Sequence, residues 1–595
     1  MRIPGRAGTR DYARPGSMRR RALLILPVAL TVAAVATASH AAPRPLWPGV
    51  TYESGVQFTP RGPVAIHVLR GPRPGGLTTL EPVLSNETIV GRETLTAMQR
   101  RLAPAATAAG VNGDYFTLAT GRPSGVLMRE GALANPPNTD RASAGITTDG
   151  VLDVRRVSFL GNWRGVGGTR IVRGLNAPPT ADGSALFTDA YGPATPPLPG
   201  SVAVVLFPFP AATPDIDLAA PVVESRTGAA AVPIPTGGAV LLARGQSAAA
   251  LTAEAPIGAS IAVRLSLRPS WPGVLAAFGG GPQLVRDGAP LYRSGEKFTT
   301  GQLGPRAPRS AVGQTADGRI VLVAVDGRQP GYSVGLTSFE LAQALVRLGA
   351  VTGMGLDSGG STTMAFDGTL LNRPSDGRER SISTAVMLMY RGVFAPEPPA
   401  LVSPNGDGVA ESPELGYRIV RPSAVTVTLR PPGGATPLTS ESSLLPGAHP
   451  VPFPPAGTAA TPGAWRLDVK AVDDLGQASS MTRRFVVDDT LGFLRVPRLR
   501  AVPPRGRSIR IAWRLFHPAR VFVTVHDEAG RVVRRGLAPT TTLDAGDHEI
   551  AWDGLGPREQ RLSGHLTVRV AARSEIGPSR LEAPIALRLA AAPRG

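Results

Sequence analysis

Four Asp-Gly pairs, at Asp149-Gly150, Asp287-Gly288, Asp317-Gly318 and Asp367-Gly368, each stand beside a short apolar run. Both residue types tolerate the positive-φ backbone that a tight hairpin demands, so this spacing predicts antiparallel strands joined by short turns. The runs themselves read as strands at Val64 to Leu69, Val202 to Phe207, Ile261 to Leu267, Ile320 to Val325 and Ala385 to Met389. With 70 Gly and 60 Pro in 595 residues, the chain is punctuated too often for long helices. Two helices are expected. Thr337 is an N-cap with Glu340 completing a capping box, Leu341, Leu345 and Leu348 follow at helical spacing, and Gly349 stops the run. A weaker pattern covers Thr94 to Leu102.

A chain of this length exceeds one hydrophobic core and divides into about three or four folding units. Residues 42–392 read as an α+β domain dominated by mixed or antiparallel sheet with few helices. Within it, residues 162–256, rich in Ala, Pro and Gly, read as a divergent insertion or second lobe without assigned chemistry. Residues 393–400 contain Ala395-Pro396-Glu397-Pro398-Pro399 and read as a Pro-rich linker. Two all-β sandwiches of about 90 residues follow. In 401–490, Trp465, Leu467 and Val469 alternate as a half-buried strand. In 491–590, Val521, Val523 and Val525 do so, as do Leu566, Val568 and Val570.

Arg19, Arg20 and Arg21 precede an apolar run from Ala22 to Ala36 and then Ser39-His40-Ala41, the pattern of a signal peptide cut after Ala41, with Met18 an alternative start. The run is about 15 residues, short of the roughly 20 that span a bilayer. The expectation is a protein outside the cell or on its wall, with no membrane contact once the signal is removed. Cysteine is absent, which excludes disulfides, thiolate catalysis and Cys-ligated metals. The net charge of +19 is carried almost wholly by Arg, since Lys297 and Lys470 are the only lysines. These charges are scattered and no nucleic-acid motif accompanies them, so nucleic acid is not an expected partner. A basic surface does suit phosphorylated cell-wall polymers.

Chemistry concentrates between Arg309 and Arg380, where polar residues form tight Gly-rich groups: Asp326-Gly327-Arg328, Asp357-Ser358-Gly359-Gly360-Ser361, Asn372-Arg373 and Arg380. Glycines let backbone amides approach an anion, and Arg grips phosphate through two parallel hydrogen bonds. Each element alone also reads as a turn or a solvated charge. Together they follow strand-like runs, which places them along one sheet edge. Asn112-Gly113-Asp114-Tyr115-Phe116 reads equally as a site or as a hairpin turn backed by aromatics. No paired His spacing supports zinc, and no Gly-x-Ser-x-Gly supports a serine hydrolase.

Four ordered segments, GVNGDYF (110–116), PRSAVGQTADGRIVLVAVDGRQPGYSVGLTSFELAQAL (308–345), GLDSGGSTTMAFDG (355–368) and NRPSDGRERSISTAVML (372–388), resemble the phosphodiester glycosidase family, whose bacterial members are often labelled exopolysaccharide biosynthesis proteins. The resemblance implies removal of a sugar from a sugar-1-phosphodiester, N-acetylhexosamine-like, on a phosphorylated glycan, leaving phosphate on the acceptor. It implies Asp357 as base or nucleophile, with Asp114 or Asp326 as its partner. Arg328 with Arg373 or Arg380 would grip phosphate, and Asn112, Arg309, Ser361 and Asn372 would complete the substrate site. The family commonly has Asn-Leu-Asp-Gly-Gly-Gly-Ser; here Gly355 replaces the Asn and Ser358 the first Gly.

LVSPNGDGVAES (401–412) resembles the opening of bacterial surface β-modules, and residues 546–572 resemble the immunoglobulin-like repeat of the flagellar hook-capping protein. Calcium at Asn405 and Asp407 competes with a plain turn, and the turn is favoured because carboxylates nearby are few. No other cofactor or metal is expected. The competing functional reading is a non-catalytic surface protein that binds glycan or assembles exopolysaccharide. A peptidoglycan or peptide hydrolase lacks its expected His, Cys or Ser constellation.

Overall fold

The computed structural model describes residues 42–228, 230–434, 436–455, 458, 460–497 and 508–587, together with the backbone of 39–40. The segment read from the sequence as a signal peptide therefore lies outside the described residues, apart from that two-residue backbone stretch. Among the described residues there are four α-helices, and strands make up most of the rest of the regular structure.

The strand Ile320–Val325 organises the central domain. It lies inside a nine-stranded sheet, between Gly62–Gly71 and Arg309–Thr315, all antiparallel, and every one of its residues is buried. Alternate side chains enter different cores. Val321, Val323 and Val325 pack under the helix Ser338–Arg347 with Leu341, Ala342 and Leu345. Ile320, Leu322 and Ala324 face a second sheet through Val111, Val386 and Leu388. A strand covered on both faces has no solvent side, which is why this run is continuously apolar.

The second sheet has the order 369–370, 364–366, 107–112, 384–390, 78–84, again antiparallel. Its strand Thr384–Tyr390 is split in the same way. Val386, Leu388 and Tyr390 face the first sheet, while Ala385, Met387 and Met389 pack on Leu95 and Met98 of the helix Leu95–Leu102. The layers run helix, sheet, sheet, helix. Both helices start as expected. Thr94 Oγ1 accepts from Ala97 N, and Thr337 and Glu340 form a reciprocal capping box. The four Asp-Gly pairs all lie in hairpin turns.

The Ala, Pro and Gly-rich segment builds most of an eight-stranded sheet with its own core around Trp163, Leu241, Leu251 and Val263. Sequence periodicity missed its helix, Gly245–Glu254, because a run of alanines buries only Ala248 and Leu251 and shows little amphipathic contrast. The short helix Thr300–Leu303 was missed as well. One turn carries too few residues for any period to show.

The Pro-rich segment is not a free tether over its first residues. Val393, Phe394 and Ala395 are buried in one continuous core with Tyr390 of the central domain and Tyr417 and Met481 of the first β-module. Phe394 and Arg418 exchange backbone hydrogen bonds of 2.9 and 2.7 Å. Arg418 also reaches back to Asp367 Oδ1 at 2.9 Å and Thr107 Oγ1 at 2.8 Å. Apolar residues beside the prolines had a partner face that the local sequence does not reveal.

The first module pairs strands 478–487, 463–473, 423–430 and 438–444, with a separate pair at 415–419 and 447–451. The second packs its two sheets around Trp513, Trp552 and Val523. The 405–408 turn joins them. Asn405 Nδ2 donates to Leu491 O at 2.9 Å, and Asp407 Oδ2 accepts from Phe493 N at 2.9 Å. Asn405 Oδ1 and Asp407 Oδ1 accept from the backbone N–H groups of Asp407 and Val409.

Phe394→Ala removes a ring that is 3% exposed from the shared core. The expected cost is about 3–5 kcal/mol. Calorimetry should show the central domain and first module unfolding together in the wild type, and at lower temperature or in two steps in the variant.

Candidate active site

The loop after strand Ala350–Gly355 is the centre of the site. Asp357 is partly buried, and its Oδ1 accepts from Ser358 N at 2.8 Å. Two arginines lie over the glycines that follow. A Cβ built on Gly359, whose φ is +69°, would sit 3.1 Å from Nη1 of Arg328, and one on Gly360 would overlap the guanidinium of Arg380 and the carboxylate of Asp376. A side chain at Gly360 would push the Arg380 guanidinium away, and the positive φ of Gly359 favours glycine there. Asp376 holds Arg380 through Nε at 3.1 Å and Nη2 at 2.6 Å. Arg328 is exposed.

Gly355 stands where the family commonly has Asn. Its N donates to Pro282 O at 2.9 Å and its O accepts from Gly281 N at 2.8 Å. A Cβ there would lie 3.1 Å from Gly281 O, so residues 281–282 occupy the space a side chain would use.

Asn112 ends its strand and staples the loop. Its Nδ2 donates to Asp357 O at 2.9 Å, while its Oδ1 accepts from Ser310 Oγ at 2.5 Å and Thr363 N at 3.2 Å. Asp114 lies beyond it, 3% exposed, with Oδ2 accepting from Gly125 N at 2.5 Å and Oδ1 buried without a hydrogen-bond partner among the described residues. A Cβ at Gly125 would come 3.1 Å from that carboxylate, and one at Gly279 would overlap it.

Burial pushes the Asp114 carboxyl up to about 7, against the pull of the Gly125 amide and the positive charge of Arg141, with the negative charge of Asp357 adding to the rise. Burial likewise raises Asp357 to about 6. The Ser361 hydroxyl, the Ser358 amide, Arg380 and Arg141 oppose this. Ser361 Oγ itself is buried and meets no partner at hydrogen-bonding geometry. Asp114 and Asp357 are thus electrostatically coupled, with Arg141 acting on both.

Arg141 was not legible in the sequence. Its guanidinium lies 4.7 Å from the Tyr115 ring centroid and 4.8 Å from that of Phe298. Arg141 and Phe298 lie far from Tyr115 in sequence, and only the fold brings them to its ring.

Asp326 stands in a different environment. Its Oδ2 meets His67 Nε2 at 3.1 Å, Tyr332 Oη at 2.9 Å and Arg373 N at 3.0 Å, and its Oδ1 accepts from Asn372 Nδ2 at 2.8 Å. Asn372 Oδ1 in turn accepts from Met364 N at 2.7 Å. This network is closed and ties strand ends of both sheets together. Arg309, 5% exposed, donates from Nε to Leu336 O and from Nη2 to Gln302 O and Pro305 O, fixing the segment around the short helix. Arg373 is exposed and rests over the Tyr332 ring at 5.1 Å. The fold therefore groups Asp357, Asp114, Arg328, Arg380 and Ser361 around one loop. Asn112, Asp326, Arg309 and Asn372 are engaged in holding backbone, and Arg373 lies on the Asp326 side.

Residues 216–389 match the phosphodiester glycosidase family model, and residues 506–575 match the FlgD Ig-like domain model. A prophage-derived uncharacterized protein, YomE of Bacillus subtilis, is 34% identical over 118 residues, which is 20% of this chain and 18% of that one. The N-acetylglucosamine-1-phosphodiester alpha-N-acetylglucosaminidase of Bos taurus is 40% identical over 68 residues, 11% of this chain and 12% of that one. The chain spans less than a fifth of the length of these curated relatives. A crystal structure of a hypothetical protein from Synechocystis aligns with TM-score 0.49 and 24% identity, over 58% of this chain and 62% of that one. The zebrafish N-acetylglucosamine-1-phosphodiester alpha-N-acetylglucosaminidase catalytic domain aligns with TM-score 0.33 and 16% identity, over 59% of this chain and 88% of that one. Residues 216–389 are thus similar to the phosphodiester glycosidase family, and residues 506–575 to the FlgD Ig-like domain.

Proposed function

We propose that the central domain is a hydrolase that cleaves a sugar, N-acetylhexosamine-like, from a sugar-1-phosphodiester on a phosphorylated glycan outside the cell, leaving the phosphate on its acceptor. The observation that carries this reading is the pair of guanidinium groups over Gly359 and Gly360, directly after the Asp357 carboxylate. The residue 1–41 pattern supports the location, and no helix among the described residues is long and apolar enough to cross a membrane.

In this reading the bond between the anomeric carbon and the phosphate oxygen breaks, and its electron pair leaves on the phosphate. A phosphate monoester is a competent leaving group, so it needs charge stabilisation more than a proton. Arg328, which is exposed, and Arg380, held through Nε and Nη2 by Asp376, supply that charge through guanidinium groups, whose planar donors a lysine ammonium would not reproduce. Asp357 is the carboxylate that meets the electron-poor anomeric carbon, and the proton of the incoming water ends on a carboxylate of the pair. Asp114, more deeply buried, stays protonated through the region where Asp357 ionises, and Arg141 favours the ionised form of both.

Four outcomes test this. Asp357→Asn should abolish release of free sugar from a sugar-1-phosphodiester or a UDP-sugar while the thermal unfolding curve is kept; near-normal turnover would remove Asp357 from its role. Gly360→Ala should displace Arg380 and lower kcat/KM by on the order of 10- to 100-fold with little change in unfolding temperature.

With Asp357 held at about 6, kcat/KM of the free enzyme should rise with pH through that region. Removing the nearby cation in Arg141→Ala should move the rising limb to higher pH. An unmoved limb would show that Arg141 does not act on the carboxylate.

Asp114 is neutral in the fold up to about pH 7, whereas an unfolded aspartate ionises near 3.8. Its contribution to stability is therefore fully present below pH 3.8 and is lost as pH rises to about 7, by on the order of 2–4 kcal/mol. Asp114→Asn should flatten that fall. The check is the difference in unfolding free energy between variant and wild type at pH 4.5 and pH 8.

A further inference from the structure

A cavity of about 640 Å³ opens beside the phosphate grip, lined by Arg92, Thr120, Asp376, Arg378, Arg380 and Ser381 among others. Arg380 belongs to both places, since the same guanidinium that lies against Gly360 forms part of the cavity wall. Whatever leaves on the phosphate has this space next to it. The volume falls within the ~300–1,000 Å³ range of small-molecule sites.

The charges in the wall are unevenly committed. Asp376 is engaged by Arg380. Glu379, also in the wall, accepts from Thr96 N at 2.9 Å and Thr96 Oγ1 at 2.7 Å at the start of a helix. Arg92 and Arg378 are exposed, and neither makes a hydrogen bond, an ion pair or a ring contact with any described residue. The stem of Arg92 lies against the backbone at Gly121, φ +76°, where a Cβ would come 2.9 Å from its Cγ. Both acidic groups are occupied and two cations are free, so the cavity favours an anion.

We propose that this cavity holds the acceptor side of the substrate, and that Arg92 and Arg378 select acceptors carrying a second phosphate beyond the one released at Asp357. The proposal rests on the phosphodiester reading above and adds a substrate class to it. Two sources share this chemistry: a nucleoside diphosphate sugar, in which the second phosphate is directly attached, and a phosphate-repeat polymer, in which a polyol spaces the two.

Three substrates with one sugar separate these cases: the sugar-1-phosphate methyl ester, the UDP-sugar, and the sugar-1-phosphate ester of glycerol phosphate. At low salt, wild-type kcat/KM should favour at least one two-phosphate substrate over the methyl ester by about tenfold, and the favoured one identifies the source. The double variant Arg92→Gln/Arg378→Gln should lose that preference, falling about tenfold further on the two-phosphate substrate than on the methyl ester. Equal effects on all three substrates, or none, overturn the proposal.

A binding measurement decides it independently of turnover. Calorimetric titration of a short poly(glycerol phosphate) and of UDP, on the full chain carrying Asp357→Asn, should show affinity for one of them that falls when Arg92 and Arg378 are also replaced. Unchanged affinity, or no binding of either, overturns the proposal. Failure to hydrolyse any substrate overturns the phosphodiester reading, and a binding loss in the double variant would still assign the cavity to a phosphorylated ligand.

Discussion

The strand Ile320–Val325 is buried on both faces, and much of the central domain follows from that constraint. A strand between two cores cannot carry a polar side chain along its length without leaving it unsatisfied. Polar groups are consequently displaced to the strand ends. Asp326 follows the last valine directly, Asp357 follows Ala350–Gly355, two strands along the same sheet, by two residues, and Asn112 is the last residue of its own strand in the facing sheet. The two sheets bring these ends to one edge of the sandwich. The candidate site is therefore where the fold stops being able to exclude polarity.

A group of buried side chains converts that edge into a fixed frame. Asp326 gathers donors from His67, Tyr332, Asn372 and the Arg373 amide, and Asn112 joins Asp357, Ser310 and Thr363. Such groups are costly when buried and are stable only because every strong acceptor is met. Asp114 Oδ1 and Ser361 Oγ are the contrast, buried and unmatched among the described residues. The saturated carboxylate suits scaffolding and the unsaturated one suits chemistry, a distinction that residue type alone cannot make.

That distinction marks how far the sequence was legible. Hairpin turns, both capped helices and the central strands follow local rules, and local rules are visible in a linear chain. The ordered polar groups from Asn112 to Arg380 were visible as well, since each sits beside an apolar run. What stayed hidden depends on distant partners. Arg141 has no neighbouring motif, and its aromatic platform comes from Tyr115 and Phe298 on other segments. Val393 to Ala395 look like linker because their apolar partners, Tyr417 and Met481, lie on later strands. The helix Gly245–Glu254 was hidden for a different reason, the weak contrast of its alanine faces.

The arrangement of charge follows from the same geometry. Asp357 has Arg380 and Arg328 over its own loop and Arg141 acting from the direction of Asp114. Three cations around two coupled carboxylates would ordinarily depress both carboxyl groups, yet both are raised, so burial outweighs the surrounding positive charge. A dianionic phosphate ester forming at Arg328 and Arg380 would reduce the positive charge felt by Asp357 and favour its taking up a proton. In the proposed reaction, departure of phosphate and capture of the water proton would then reinforce each other, because Arg328 and Arg380, from other segments, lie over the glycines next to Asp357.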